Sequence, residues 1–289
     1  MAKQWKDLII AVVGGDEREQ EIARLAAVTG ASVRSFGFPG ADHVEGVDCV
    51  DTARTALRDA DIALFPIPGM TMDGAIFATE KIIPDQALLA GMAKGAHIIL
   101  GKADDGLRTA AGALEIGLHE YEHDKELMLL RAPAIVEGAL KLMIDNTAFT
   151  IHMARTCVVG QGNIGTVLTR TLIALGARVT VAARNPVQRA GAYTLGADTM
   201  SLDALPLRAG DFDIICTTVP APLVNAAVID RMPENGLVID LSAPPGGADL
   251  DHARKTGRAG IWARALGRRA PITVGASQWM GIEKIIREV

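Results

Sequence analysis

Cysteine is scarce in this chain: Cys49, Cys157 and Cys216 are far apart in sequence. Three isolated thiols build neither a disulfide framework nor a zinc site, so the expected setting is a reducing cytoplasm. Aromatic residues are few, with three Trp, two Tyr and six Phe. No apolar run approaches the ~18 residues needed to cross a bilayer. The opening Met-Ala-Lys-Gln-Trp-Lys-Asp has no apolar stretch of the kind a secretory leader carries. No basic run interrupts the chain, and the 29 Lys and Arg are outnumbered by 34 Asp and Glu, for a net charge of −5. That balance argues against a nucleic-acid surface. Paired carboxylates at glycosidase-like positions, a Ser-His-Asp order and metal-ligand spacing are not recognisable either.

What is present is glycine, 30 residues of it, within a chain of 289 that is 49% hydrophobic and 22% charged. That length accommodates two domains, each with its own core. The central signal is Thr156-Cys-Val-Val-Gly-Gln-Gly-Asn-Ile-Gly165, an apolar strand running into G-x-G-x-x-G, with a helix-like segment from Thr166 to Gly176. The three glycines serve different ends. Gly160 permits the tight turn, Gly162 lets a pyrophosphate reach bare backbone, and Gly165 lets helix and strand pack closely. The N–H groups at the start of that helix, around Asn163 and Ile164, then face the phosphates. A second strand, Arg178–Ala183, follows at the spacing a dinucleotide site requires.

The end of that second strand selects the coenzyme. An NAD site places an acid there to accept hydrogen bonds from the ribose 2′-OH, whereas this chain has Ala182, Ala183 and then Arg184. A guanidinium grips a 2′-phosphate in a bidentate manner, which points to NADP. The stretch Arg184-Asn185-Pro-Val-Gln-Arg189-Ala resembles the N-R-T-x-x-R-A loop of shikimate dehydrogenases, with Pro186 in place of the Thr. That resemblance implies that both arginines hold NADP. The alternative is two surface arginines beside a helix start. Thr218, Val219 and Pro220, after a further strand at Asp213–Thr218, are expected to line the nicotinamide ribose.

Strands alternate with helices throughout, predicting α/β architecture with parallel, doubly wound sheets. In the first half, strands are expected at Leu8–Val13, Ser32–Gly37, Ile62–Ile67, Ala96–Leu100 and around Gly117–Tyr121. Helices are expected at Glu17–Thr29, from Pro84 to about Lys94, and near Asp104–Ala113. Gly14-Gly15-Asp16 reads either as a second phosphate turn or as a turn whose Asp caps the helix, and the acids at 16 and 17 favour the cap. The expected division is residues 1–133 as a substrate domain and 134–275 as the nucleotide-binding domain, with a connecting helix at 134–145. A C-terminal helix at 276–289 is expected to return to the first domain.

Several of these stretches together resemble the family of the dipicolinate synthase A subunit. They are Val13-Gly-Gly-Asp-Glu-Arg18, Thr79–Ile83, Pro133–Gly138, Phe149–His152, the glycine fingerprint and Asp240-Leu-Ser-Ala-Pro-Pro-Gly-Gly247. The resemblance covers nearly the whole chain. It implies a flavodoxin-like N-terminal domain, a Rossmann NADP-binding domain, and an active site in the cleft. The implied activity is oxidation of dihydrodipicolinate to dipicolinate by hydride transfer, with a flavoprotein-like B subunit as partner. A homodimer is the expectation for this architecture. Two positions depart from the family pattern. Pro244 and Ile272 stand where basic residues are expected, which opens the alternative of a different hydroxy or imino acid as substrate. Lys102, Arg131, Arg264, Arg268 and Arg269 could supply the missing charge. A non-catalytic nucleotide-binding subunit is a third reading.

Hydride transfer needs one proton handled at the carboxyl end of a strand. Lys102 either fixes a substrate carboxylate or faces water. His123, within Glu122-His123-Asp124, either shuttles a proton or belongs to a solvated loop that opens a helix. Glu137 faces either the cleft or solvent. Asp240 and Asn225 also lie at element ends, and His152 reads as a packing residue.

Overall fold

The computed structural model describes residues 4–289, which form two compact units. One comprises the chain up to Arg131 together with Ala270–Val289, and the other comprises Ala132–Arg269.

The first unit is built from β1 (Ile9–Val13), α1 (Glu17–Val28), β2 (Ser32–Phe36), β3 (Asp48–Cys49), α2 (Ala53–Leu57), β4 (Ile62–Leu64), α3 (Gln86–Leu89), β5 (His97–Leu100), α4 (Asp105–Ala113) and β6 (Gly117–Glu120). The six strands lie in the order β3-β2-β1-β4-β5-β6, and every pair is parallel. Without the two-residue edge strand β3, the order is that of the flavodoxin-like fold. A parallel sheet is covered on both faces, so its central strands β1 and β4 are apolar throughout rather than alternating. In β1, Ile10 and Val12 enter the core cluster that also holds Ile22, Ala26 and Ile282, whereas Ala11 and Val13 enter the opposite one with Leu57, Leu89 and Leu107.

α5 (Lys125–Asp145) contains the boundary between the units. The second unit continues with β7 (Arg155–Val159), α6 (Asn163–Ala174), β8 (Arg178–Ala182), α7 (Pro186–Thr194), β9 (Asp198–Met200), α8 (Leu205–Arg208), β10 (Ile214–Thr217), α9 (Ala226–Ile229), β11 (Leu237–Asp240), α10 (Leu250–Lys255) and β12 (Ala259–Trp262). Its parallel sheet runs β12-β11-β10-β7-β8-β9, the doubly wound Rossmann order with the reversal at β7. The chain closes with α11 (Pro271–Glu288), which packs on α1 in the first unit.

Three elements differ from the sequence expectation. The helix expected from Pro84 to Lys94 is confined to Gln86–Leu89, because Ala93 N–H bonds to the Ala60 carbonyl and draws the chain out of the helix. The connecting helix starts at Lys125 rather than Ala134. Asp124 caps it by accepting from Leu127 N–H, and Pro133 is tolerated on an exposed face. The C-terminal helix begins at Pro271 rather than Ala276, with proline at the first turn where its missing N–H costs nothing.

Candidate coenzyme and substrate sites

In the second unit the three glycines of the turn stand in three different environments. Gly160 sits at φ +96°, and a Cβ there would lie 2.5 Å from Val219 Cγ2 and 2.6 Å from Thr218 Oγ1. Gly165 is closed to any side chain, since its Cβ would stand 2.2 Å from the Gly160 carbonyl oxygen. Gly162 is the opposite case: a Cβ there meets nothing within 4 Å, and no side chain caps α6, whose N-cap it is. The first N–H groups of α6, at Asn163 and Ile164, therefore have no side chain competing for them, which is the arrangement a pyrophosphate needs. Gln161 is buried and accepts a hydrogen bond from Thr169 Oγ1, anchoring the turn to the helix behind it.

At the end of β8, Ala182 and Ala183 are buried and Arg184 is exposed. Asn185 caps α7 by accepting from Val187 N–H at 2.8 Å. Arg189 turns back and donates from Nη1 to the carbonyls of Ala183 (2.7 Å) and Arg184 (2.9 Å). The two arginines thus differ: Arg189 braces the loop while Arg184 extends from it. Thr218 donates its hydroxyl to the Val159 carbonyl beside the glycine turn, and Val219 and Pro220 continue the same loop. Open backbone at Gly162, a helix start with no side-chain cap and an exposed cation after β8 are features that fit a nicotinamide dinucleotide.

The loop after β11 is held by Asp240. Its carboxylate is buried and accepts from Ser242 N–H and Oγ through Oδ1, and from Gly247 and Ala248 N–H through Oδ2, at 2.5–3.1 Å. With both oxygens committed to the loop's own donors, Asp240 organises the loop. Trp262 Nε1–H donates to the Ser242 carbonyl, and the Arg264 guanidinium lies 5.1 Å above the Trp262 ring. Asn225 caps α9, and His152 packs against Gly176. Glu137 is exposed and ion-paired with Arg269.

In the first unit, Asp16 caps α1 in a capping box: Asp16 N–H donates to Glu19 Oε2, and Asp16 accepts from the backbone of the first turn. Arg18 grips the same Asp16 with Nε and Nη2, both at 2.7 Å. No phosphate turn forms here, because the acid occupies the helix start. Lys102 and His123, read separately in the sequence, come together on one cavity of about 500 Å³ beyond β5 and β6. It is also lined by Tyr121, Glu122, Lys284 and Glu288. No sequence signal marks Lys284; it reaches the cavity only because α11 returns to this unit. The Pro66–Met72 segment is a tight turn, with Gly69 N–H bonded to the Pro66 carbonyl and Gly69 itself pressed on the Lys102 backbone. Cys157 and Cys216 are buried in strands, and burial pushes both thiols up, away from reactivity. Among the described residues no metal-binding cluster occurs, and no helix is long and apolar enough to cross a membrane.

A Rossmann unit with this glycine turn, joined to a flavodoxin-like unit, defines a dehydrogenase-type nicotinamide nucleotide-binding protein. Family models agree unit by unit: residues 9–122 match the N-terminal domain of the dipicolinate synthase A subunit, and residues 143–254 match shikimate/quinate 5-dehydrogenase. The chain is 30% identical to the dipicolinate synthase A subunit of Bacillus subtilis (strain 168), over 98% of this chain and 97% of that protein. The crystal structure of the Bacillus halodurans dipicolinate synthase A subunit superposes with a TM-score of 0.87 at 27% identity, covering 96% of this chain and 97% of that one. A transhydrogenase from Sinorhizobium meliloti shares the fold at a TM-score of 0.68 and 18% identity, over 96% and 94% of the two chains. The chain belongs to the family of the dipicolinate synthase A subunit.

Proposed function

We propose that this protein is an NADP-dependent oxidoreductase that oxidises a small cyclic carboxylate, dihydrodipicolinate, to dipicolinate. The observation that carries this reading is the pairing of the uncapped, open helix start at Gly162 with the extended Arg184 at the end of β8. Backbone N–H groups of α6 hold the pyrophosphate, and the Arg184 guanidinium meets the 2′-phosphate. Thr218 and Val219, fixed against Gly160, shape the neighbouring wall. When bound, the coenzyme accepts a hydride; the chain's part is orientation and removal of one proton. Proton handling falls to His123 or Lys102, which share a cavity, since Glu137 is exposed and engaged in an ion pair with Arg269. Loss of a hydride and a proton aromatises the ring, so a positioned base suffices.

The Bacillus subtilis relative is one subunit of its synthase, and a flavoprotein-like second subunit is the proposed partner here, alongside a homodimer of this chain. The test is direct. Purified protein, with and without such a partner, is supplied with dihydrodipicolinate and NADP, and NADPH absorbance is followed. No NADPH under either condition rules out this substrate.

A second reading keeps the coenzyme and changes the substrate to another hydroxy or imino acid. It is favoured by exposed Pro244 and Ile272, neither of which offers a cation to a dicarboxylate. A panel of hydroxy and imino acids assayed for NADPH turnover separates the two. A protein that binds NADP but turns over no member of either set is a nucleotide-binding subunit.

A further inference from the structure

Buried polar atoms without partners are rare in folded proteins, and each one calls for a cause. Among the described residues they are Glu19 Oε1, Tyr121 OH, Thr156 Oγ1 and both amide atoms of Gln278, all but Thr156 belonging to the first unit. Glu19, Tyr121 and Gln278 are each almost fully buried, at 2, 3 and 1% exposure.

The fold brings these groups together. The Tyr121 phenol lies within electrostatic reach of Glu19, Arg18 and Arg131. Arg131 in turn feels Glu122, Arg18 and Tyr121. Gln278 belongs to the same place by helix register. On α11, Gly275 abuts the Arg18 carbonyl and Gly281 abuts the Leu127 side chain. Gln278 stands three residues from each, on the same helix face. Arg131 follows Leu127 by one turn of α5. The cluster sits beyond the carboxyl ends of β1 and β6, the edge at which open α/β sheets bind ligands.

The charges are unevenly committed. Arg18 is held by Asp16 in a two-pronged ion pair. Arg131 is half-buried, and among the described residues its side chain makes no hydrogen bond or ion pair. A guanidinium, a phenol O–H and a primary amide are three donors suited to a carboxylate.

We propose that Arg131, Tyr121 and Gln278 form a recognition site for one carboxylate group of a small metabolite. It rests on the carboxylate-substrate reading above and names the residues that would select that class. The unmet donors are then explained as groups that a ligand completes. Buried groups of this kind fit the way functional sites are held at some cost in stability.

The test uses the full chain with saturating NADP, titrated calorimetrically with pyridine-2,6-dicarboxylate and, separately, with 2-oxoglutarate. Tyr121→Phe, Gln278→Met and Arg131→Met each weaken binding of at least one probe by about tenfold or more, as expected for loss of a charged or carboxylate-directed hydrogen bond. NADP affinity is unchanged in all three, which shows that they remain folded. Tyr121→Phe also raises the Tm of the ligand-free protein, because it deletes an unsatisfied buried hydroxyl. A Tm rise with carboxylate affinity within about twofold of the parent overturns the proposal and marks the cluster as a site for internal water only. Failure of the parent protein to bind either probe overturns it as well. Dihydrodipicolinate oxidation that survives undiminished in the variants sinks the carboxylate site and spares the activity. Cluster-dependent binding without NADPH formation sinks the activity and spares the site.

Discussion

The carbonyl oxygen of Gly160 stands 2.2 Å from where a Cβ on Gly165 would be, whereas a Cβ on Gly162 would touch nothing within 4 Å. Two glycines of one fingerprint therefore respond oppositely to alanine. Gly165→Ala forces α6 off β7 and destabilises the protein by about 1–3 kcal/mol, measured by urea unfolding. Gly162→Ala leaves stability within ~0.5 kcal/mol of the parent but weakens NADP binding by about tenfold, because the methyl group occupies the pyrophosphate's approach. Equal stability losses in the two variants would contradict these assignments.

Arg184 and Arg189 separate in the same way. Arg184→Ala is expected to lower NADP affinity by roughly 10- to 100-fold, the loss of a charged hydrogen bond, with little change for NAD. Arg189→Ala removes the donor to the carbonyls of Ala183 and Arg184, so it loosens the loop and weakens both nucleotides. Titration with both nucleotides is the check. A parent protein that binds both equally would remove the basis for the coenzyme assignment.

Asp240 accepts from four donors in one buried loop. In Asp240→Asn one acceptor becomes an NH2 facing an N–H or O–H, and the charge that strengthens the rest is lost. A destabilisation of about 3 kcal/mol in urea unfolding is expected. Stability unchanged to within ~0.5 kcal/mol would mean that the loop is held by something else.

Glu19 carries a pH dependence. Burial pushes its carboxyl up from 4.5 to about 7, only partly opposed by the charge of Arg18. A folded-state value above the unfolded one means the native protein holds the proton more tightly. Its stabilising contribution is therefore complete below about pH 4.5 and disappears as pH rises through about 7, a span of roughly 3 kcal/mol. Glu19→Gln keeps an acceptor for Asp16 N–H without the charge. The stability difference between parent and variant should shift against the parent between about pH 5 and about pH 8. A pH-independent difference would show that Glu19 does not titrate in this window.

Much of the candidate coenzyme site was legible because its signals are local. The glycine spacing and the missing acid after Ala183 act through the backbone of a single strand-turn-helix unit, so Gly160, Gly162, Gly165 and Arg184 could be named from the sequence. Asp16 could be read as a cap for the same reason. The first unit's polar groups were less legible, since Lys102, His123 and Lys284 lie on three elements and share a cavity only after α11 returns. The short elements β3, α2 and β9 leave no mark on the sequence, because so few residues carry no clear periodicity.

The order of apolar runs and glycines was sufficient by itself to specify two parallel sheets and a dinucleotide turn, because strand burial and backbone sterics are properties of neighbouring residues. Which charges remain uncommitted was decided by tertiary structure alone. Arg189 is drawn onto carbonyls five and six residues back, and Asp240 is enclosed by its loop. The Arg131 side chain is left half-buried, with no hydrogen bond or ion pair among the described residues. Such differences arise from desolvation and from which donors fall within hydrogen-bond reach, and both depend on the folded path of the backbone rather than on residue type.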